Sequence, residues 1–336
     1  MSPLERIAID EFVVPALPRG VKQRLELLVA ADLPGPLTLT ALVVRGGEPG
    51  PLLLAVAGVH GNEYEGMEAI RQLYEALEPA QMRGAFVGIP AANPLAYAAR
   101  TRATPPEIDG LNLARVFPGV AKGTLTPRLA HHLLGLVERS VGPDDLFIDL
   151  HSGSHDVAFA PLIGFRDVPG AATARAEEAA RHFGLPRLWR IPDSPGPFNA
   201  ETARRGIPTL GTETTGRAGC ESEDVDAFTA GLANLLSFLG IHAGSGSPPP
   251  RLDGPARRTV DVLAPAGGFL RSPVRLYDHL LAGAHLGEIV DIDGTMVAQV
   301  EAPTDGEVWA WRATPAVRPG ESIGMIAETN PHSRKH

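Results

Sequence analysis

Residues 52–66 read LLLAVAGVHGNEYEG. The first seven, 52–58, are apolar without interruption, the pattern of a strand covered on both faces. From 64 to 77 the apolar residues recur at helical spacing. Between strand and helix lies a glycine-flanked turn that carries His60 and Glu63. A buried strand, a short turn and a helix form the repeating unit of α/β architecture, in which function gathers in loops beyond the carboxyl ends of strands.

The theme recurs along the chain. An alternating strand is expected at 37–45 (LTLTALVVR), further strands at 85–90, 145–149 and 207–212, and helices at 126–139, 171–184 and 223–240, after an irregular start. The pattern predicts an α/β sheet with helices on its faces. Residues 243–256 (AGSGSPPPRLDGPA) break all periodicity and are expected to be a linker, stiff in its proline part. From 257 to 330 short β-type runs alternate with turn residues and no helix of ordinary length fits, which predicts a small all-β domain after a main domain of residues 1–242. The three tryptophans, Trp189, Trp309 and Trp311, are expected to serve packing or a rim.

Composition narrows the function classes. Of 336 residues 44% are apolar and 21% charged, ordinary globular usage that excludes disorder and collagen. Apolar runs are too short for a membrane span, and the MSPLERIAIDEF start lacks the flanks of a signal peptide, so a soluble cytoplasmic protein is expected. A single cysteine, Cys220, removes internal disulfides and any Cys-rich metal framework. The formal net charge is −9 with basic residues scattered, so nucleic acid is not an expected partner.

Metal chemistry, then, must use His and carboxylate. His60 and Glu63 are three apart in a turn entering a helix, a separation at which imidazole and carboxylate can converge. Taken alone the pair reads better as a solvated or capping pair. Its position at a strand end between glycines favours ligation. In 146–153 (LFIDLHSG) another apolar strand ends in His151. Two histidines, one carboxylate and an open fourth position make the ligand set of a catalytic zinc. Asp149 could orient His151 from behind or merely cap a turn. Hydrolysis also needs a proton acceptor, and Glu213, the sole carboxylate of 207–219 (IPTLGTETTGRAG), is the candidate general base, with an exposed loop glutamate as the alternative. The long polar stretch 92–119 brings Arg100, Arg102 and Arg115, whose planar donors suit a carboxylate or oxyanion. Surface solubility is the competing reading, favoured for Arg100. His131, His132 and His155 are expected to be structural, exposed or merely near the site.

Together GVHGNEYEG, the ANP turn, TRATPPEIDGLNLARVFPG, DLHSG and GTETTG, in this order, resemble the succinylglutamate desuccinylase/aspartoacylase family over about residues 35–330. The likeness is nearest to its bacterial branch with N-acetyl-diaminobutyrate deacetylases. The resemblance implies a zinc carboxypeptidase-like mixed α/β sheet with helices on both faces. It implies one Zn2+ per chain on His60, Glu63 and His151, with Glu213 as base and proton shuttle. It also implies that Arg102 polarises the scissile carbonyl and Arg115 holds the substrate carboxylate. One departure is Ala114-Arg115 where the family carries Asn-Arg, which removes a polar partner of that carboxylate; Asn112 is the candidate substitute. The C-terminal segment looks like a biotinyl or lipoyl-type domain, yet no lysine lies between Lys122 and Lys335 to carry such a group. It is expected to shape the active-site mouth or to mediate contacts in a homo-oligomer.

The expected activity is zinc-dependent removal of a small acyl group, acetyl or succinyl, from the amino nitrogen of a small N-acyl amino acid. A zinc carboxypeptidase or peptide amidase acting on longer substrates, or a non-catalytic binding homologue, are the alternatives.

Overall fold

The computed structural model of the chain describes residues 4–31, 35–242 and 251–329. In chain order the first ten strands are β1 (Glu5–Ala8), β2 (Val21–Ala30), β3 (Leu37–Arg45), β4 (Glu48–Ala57), β5 (Arg83–Ile89), β6 (Leu146–Leu150), β7 (Val157–Phe159), β8 (Leu162–Arg166), β9 (Leu188–Ile191) and β10 (Thr209–Glu213). All but β7 join one mixed sheet of nine strands, ordered β1-β2-β3-β5-β4-β6-β10-β8-β9. The helices are α1 (Glu65–Ala76), α2 (Pro94–Ala99), α3 (Leu125–Ser140), α4 (Ala171–Arg181), α5 (Phe198–Arg204) and α6 (Ser222–Phe238).

The uninterrupted apolar run of β4 follows from its place inside this sheet. Leu52, Leu54 and Val56 point into one core with Leu129, Leu133 and Val137 of α3 and Phe198 of α5. Leu53, Ala55 and Ala57 point into the other, with Ile70 of α1, Ala179 of α4 and Leu232 of α6. Both faces are therefore covered, as continuous apolar strands require. This is the mixed sheet with helices on both faces that the sequence predicts.

At the centre, β5, β4, β6 and β10 run parallel. The register pairs Ala57 with Leu150 and Leu150 with Thr212, so the chain leaves three adjacent strands at one edge. His60 and His151 follow within three residues of those exits, and Glu213 is the last residue of β10.

The start of the chain is not irregular. β2 pairs antiparallel with the whole of β3 and buries Leu25, Leu27 and Val29 while Arg24 and Glu26 stay on the wetter face. That alternation marks an outer strand of the sheet, and β1 adds to it in parallel. The short elements α2, α5, β8 and β9 are likewise additions to the sequence reading, each too brief to display a period. Of the expected linker, 243–250 lie outside the described residues, whereas 251–256 run beside α4, where Arg181 Nη1 donates to the carbonyls of Leu252 and Gly254.

Eight strands complete the chain: β11 (Thr259–Leu263), β12 (Gly268–Arg271), β13 (His279–Leu280), β14 (His285–Val290), β15 (Met296–Glu301), β16 (Gly306–Arg312), β17 (Ala316–Val317) and β18 (Ser322–Glu328). They form two sheets, β11-β18-β16-β13 and β15-β14-β12-β17, around Leu286, Ile289, Val308 and Ile323. β7 pairs antiparallel with β16, placing Ala158 opposite Trp311. Trp309 is buried against Leu162, a packing role. Among the described residues no helix is long and apolar enough to cross a membrane.

Phe198 is fully buried, stacked on Phe117 at a centroid distance of 4.3 Å and tilted against Phe147 at 4.9 Å. Phe198→Ala is expected to destabilise the fold by about 3–5 kcal/mol. Denaturant unfolding should show this as a lower midpoint at unchanged slope.

Candidate active site

Turn geometry, helix starts and strand ends each contribute one part of the site. His60 is 1% exposed, and its Nδ1 lies 3.1 Å from the Arg102 carbonyl oxygen. An N–H donated there leaves Nε2 as the free lone pair. Glu63, 3% exposed, places Oε2 at 2.9 Å from His151 Nδ1 and accepts at the same oxygen from Ser152 N–H. Its Oε1 accepts from Arg102 Nη1 at 2.6 Å. His151 Nε2 lies 3.1 Å from Asp149 Oδ2. Ligand atoms of His60, Glu63 and His151 all fall within 4.8 Å of one another.

The electrostatics follow from burial. Desolvation pushes His60 down to about 3, against the opposing pull of Glu63, so its imidazole is neutral at physiological pH. Burial alone would raise Glu63, but His60, Arg102 and His151 outweigh it and hold the carboxyl at about 2. For His151, desolvation opposes the charge while Asp149 and Glu63 hold the imidazolium well above the usual range. A cation is what these two carboxylates call for, and a proton on His151 supplies one.

Glu213 closes the cluster. Its Oε2 is buried and has no hydrogen-bond partner among the described residues. Burial, reinforced by Glu63 and Asp149 against His151 and Arg102, pushes its carboxyl up to about 8.

The arginine-bearing loop is built from local caps. Asn93 of the ANP turn caps α2 by accepting from Ala96 N–H, with Pro94 at the first helical position. Its Nδ2 donates to Thr104 Oγ1, which Thr126 Oγ1 also bonds, and Asp109 accepts from the Thr126 N–H at the start of α3. Arg102 is thereby held against Glu63. Arg115 sits exposed at the rim, where the charges of Arg102, Glu213, Glu63 and Asp261 reach it. The Asn112 amide oxygen accepts from Ala114 N–H and so is committed to the turn 113–115, leaving its Nδ2 as the group it can offer a ligand. Arg100 is exposed, as its solubility reading expects. It caps the exposed end of α2 at φ 57°.

Several contributors carry no signal in the sequence. Fully buried Glu65 accepts from Ser152 Oγ and from Cys220 N–H, tying the first turn of α1 to the loops after His151 and Glu213. Asn199 Nδ2 donates to Asp149 Oδ2, and Arg166 Nε donates to Asn199 Oδ1. These are distant in sequence and chemically ordinary; only the fold joins them. Of the other histidines, His132 pairs with Asp10, and His155 is exposed with its Nδ1 3.0 Å from Asn62 Nδ2.

The donor set fits a zinc ion: a neutral imidazole, an ionised carboxylate, a second imidazole backed by Asp149, and a buried unpartnered carboxylate oxygen nearby.

Comparison with known proteins bears on the same stretch. The profile of the succinylglutamate desuccinylase/aspartoacylase catalytic domain matches residues 49–239. The chain is 30% identical over 304 residues to the N-alpha-acetyl-L-2,4-diaminobutyric acid deacetylase of Halomonas elongata, covering 88% of this chain and 86% of that protein. The chain belongs to the succinylglutamate desuccinylase/aspartoacylase family. A family member of known structure from Rhodobacter sphaeroides superposes with a TM-score of 0.81 at 27% identity, covering 93% of this chain and 97% of that one. An aspartoacylase family protein from Mesorhizobium loti gives 0.75 at 28% identity, covering 94% and 96%. The match to the desuccinylase/aspartoacylase domain spans His60, Glu63, Arg102, Arg115, His151 and Glu213, and ends before β11.

Gly216 shows how tightly the desuccinylase/aspartoacylase loops are set. At φ +74° a Cβ there would lie 1.4 Å from the Gly153 carbonyl oxygen, so the loops after β6 and β10 touch through bare backbone. Gly206 has a similar φ of +73° but open space around it. Gly206→Ala is expected to cost about 1–2 kcal/mol for the left-handed backbone alone. Gly216→Ala should cost clearly more, read as the larger fall in thermal midpoint.

Proposed function

We propose that this chain is a zinc-dependent amidohydrolase that removes a small acyl group, acetyl or succinyl, from the amino nitrogen of an amino-acid-like substrate. The observation that carries the reading is the convergence of His60, Glu63 and His151 at one sheet edge, with the buried, unpartnered Oε2 of Glu213 in electrostatic contact with them. Family membership and the deacetylase relative from Halomonas elongata support it.

His60, Glu63 and His151 would hold one zinc per chain. When bound, zinc supplies a Lewis acid for the amide carbonyl and lowers the pKa of a water at its open position to about 7. Glu213 takes the proton of the attacking water at Oε2. A carboxyl poised near neutrality can accept that proton and then return it to the departing amine nitrogen as the C–N bond breaks. Arg102 bonds Glu63 through Nη1 and has further N–H donors for the carbonyl oxygen as negative charge develops there. Arg115, on the rim, holds the substrate carboxylate. The products are a carboxylate and a free amine. Asp149 acts through His151, fixing the tautomer that leaves Nδ1 toward the cluster.

Two variants separate binding of the metal from use of the proton. Glu213→Gln is expected to retain about one zinc per chain and to lose a hundredfold or more in turnover of N-acyl amino acids. His151→Ala is expected to lose the zinc itself. Metal analysis and steady-state kinetics on the same preparations check both, and undiminished turnover by Glu213→Gln would remove Glu213 from the mechanism.

A further inference from the structure

Three polar contacts away from His151 lies a buried cation that the mechanism does not use. Arg166, the last residue of β8, is 8% exposed. Arg181, the other arginine buried to this degree, pairs with Glu177 at 2.6 Å. Arg166 closes no ion pair among the described residues, and its N–H groups go to neutral acceptors instead. Burial brings the guanidinium down to about 10, against the pull of Asp149 and Asp193, so it stays charged at physiological pH. A desolvated charge without a carboxylate costs stability, so packing alone does not account for it.

Its donors reach two different parts of the site. Nε donates at 2.7 Å to Asn199 Oδ1, whose Nδ2 donates at 3.1 Å to Asp149 Oδ2, the oxygen that lies 3.1 Å from His151 Nε2. This branch ends on a proposed zinc ligand. Nη1 donates at 2.6 Å to the Pro192 carbonyl and at 3.3 Å to Ser194 Oγ, so the same guanidinium holds the loop 192–197. That loop in turn braces the turn of Arg115. The Gly196 carbonyl accepts from Phe117 N–H at 3.1 Å, and a Cβ at Gly196, φ +102°, would lie 2.8 Å from the Arg115 carbonyl oxygen. Phe198, two residues on, stacks on Phe117. The second branch therefore ends on the backbone of the residue read to hold the substrate carboxylate. A planar fork with fixed angles between its N–H groups sets the two branches relative to each other, which a rotating ammonium does not.

We infer that Arg166 is a positioning residue that fixes His151 and Arg115 relative to each other, by donating from one buried guanidinium to Asn199 and to the loop 192–197. This rests on the deacylase reading above. Its consequence is that seating the substrate carboxylate on Arg115 and presenting the amide to the metal ligands become one event.

The test measures zinc affinity, by competition with a chelator, and steady-state kinetics on an N-acetyl amino acid at saturating zinc, in the wild type, Asn199→Ala, Arg166→Gln and the double variant. Asn199→Ala cuts only the first branch and should weaken zinc binding by about 10–100-fold, the usual effect of losing a partner behind a metal ligand, with KM moved by less than about twofold. Arg166→Gln should weaken zinc to a similar degree and also raise KM by about tenfold or more, through the displaced turn of Arg115. The double variant should bind zinc no more weakly than Arg166→Gln, since both changes cut one relay. Arg166→Lys keeps the charge without the fork and should regain thermal stability but not KM; it replaces Arg166→Gln in the comparison if that variant does not fold. Either zinc affinity or KM at the wild-type value in the Arg166 variants, or additive losses of zinc affinity in the double variant, overturns the role of Arg166 and leaves the deacylase reading intact. A zinc-loaded wild type that hydrolyses no N-acyl amino acid overturns the reading itself.

Discussion

A carboxylate that is 3% exposed and still ionised sets the terms for the whole site. Moving such a group out of water costs several kcal/mol even after relaxation, and only well-placed cations and N–H donors offset that. Glu63 has Arg102 on one oxygen and His151 with the Ser152 amide on the other. Each partner is itself anchored: Arg102 by the capped loop that also supplies a carbonyl to His60, and His151 by the chain Asp149, Asn199, Arg166. Removing any one of these leaves a buried charge uncompensated, so the arrangement is rigid for electrostatic reasons before any ligand enters. The same need for positive charge makes it receptive to a divalent ion.

Sheet geometry converts that local demand into a functional constellation. Three adjacent parallel strands end in register, and their exits lie only a strand spacing apart, about 4.8 Å. Side chains from positions 60, 151 and 213 can then meet without long loops. Glu65 ties the first turn of α1 to both other exits, and the backbone contact of Gly153 with Gly216 leaves those two loops no room to separate. Glu213 Oε2 is left unsatisfied, as are the buried Asp149 Oδ1 and Thr214 Oγ1 close by in the chain. A buried carboxylate oxygen without a partner, within electrostatic reach of His151 and Glu63, is open to something that enters.

The parts legible in the sequence were those with a local signature. The apolar run of β4 required two covered faces, and His60, Glu63, His151 and Glu213 stood out because each followed such a strand within a residue or a turn. What remained hidden depends on contacts between distant segments. β2 reads poorly because Leu28 interrupts its alternation, and its strand character comes from pairing with β3 along its full length. Glu65 and Asn199 are unremarkable in composition and become important only through partners 87 and 50 positions away. The arginines differ for the same reason: Arg100 is an exposed, left-handed cap of α2, whereas Arg102, two residues on, reaches Glu63 across 39 positions of sequence.

The C-terminal strands are coupled to the site by more than the segment 243–256. β7 begins six residues after His151, and its pairing with β16 makes the loop that follows His151 continuous with a C-terminal sheet. The junction is closed by Glu307, which accepts from Arg187, Arg257 and Trp309, the last buried against Leu162. A carboxylate held by three donors at a partly buried seam is a fixed point, not a sliding contact. β11 is joined to β16 through β18 in the same sheet, so it too is fixed by hydrogen-bonded strands. Arg115 is placed independently, by the turn after Asn112 and by Phe117 N–H donating to the Gly196 carbonyl. The C-terminal sheets and the loop that carries Arg115 are thus each anchored to the site by their own backbone hydrogen bonds.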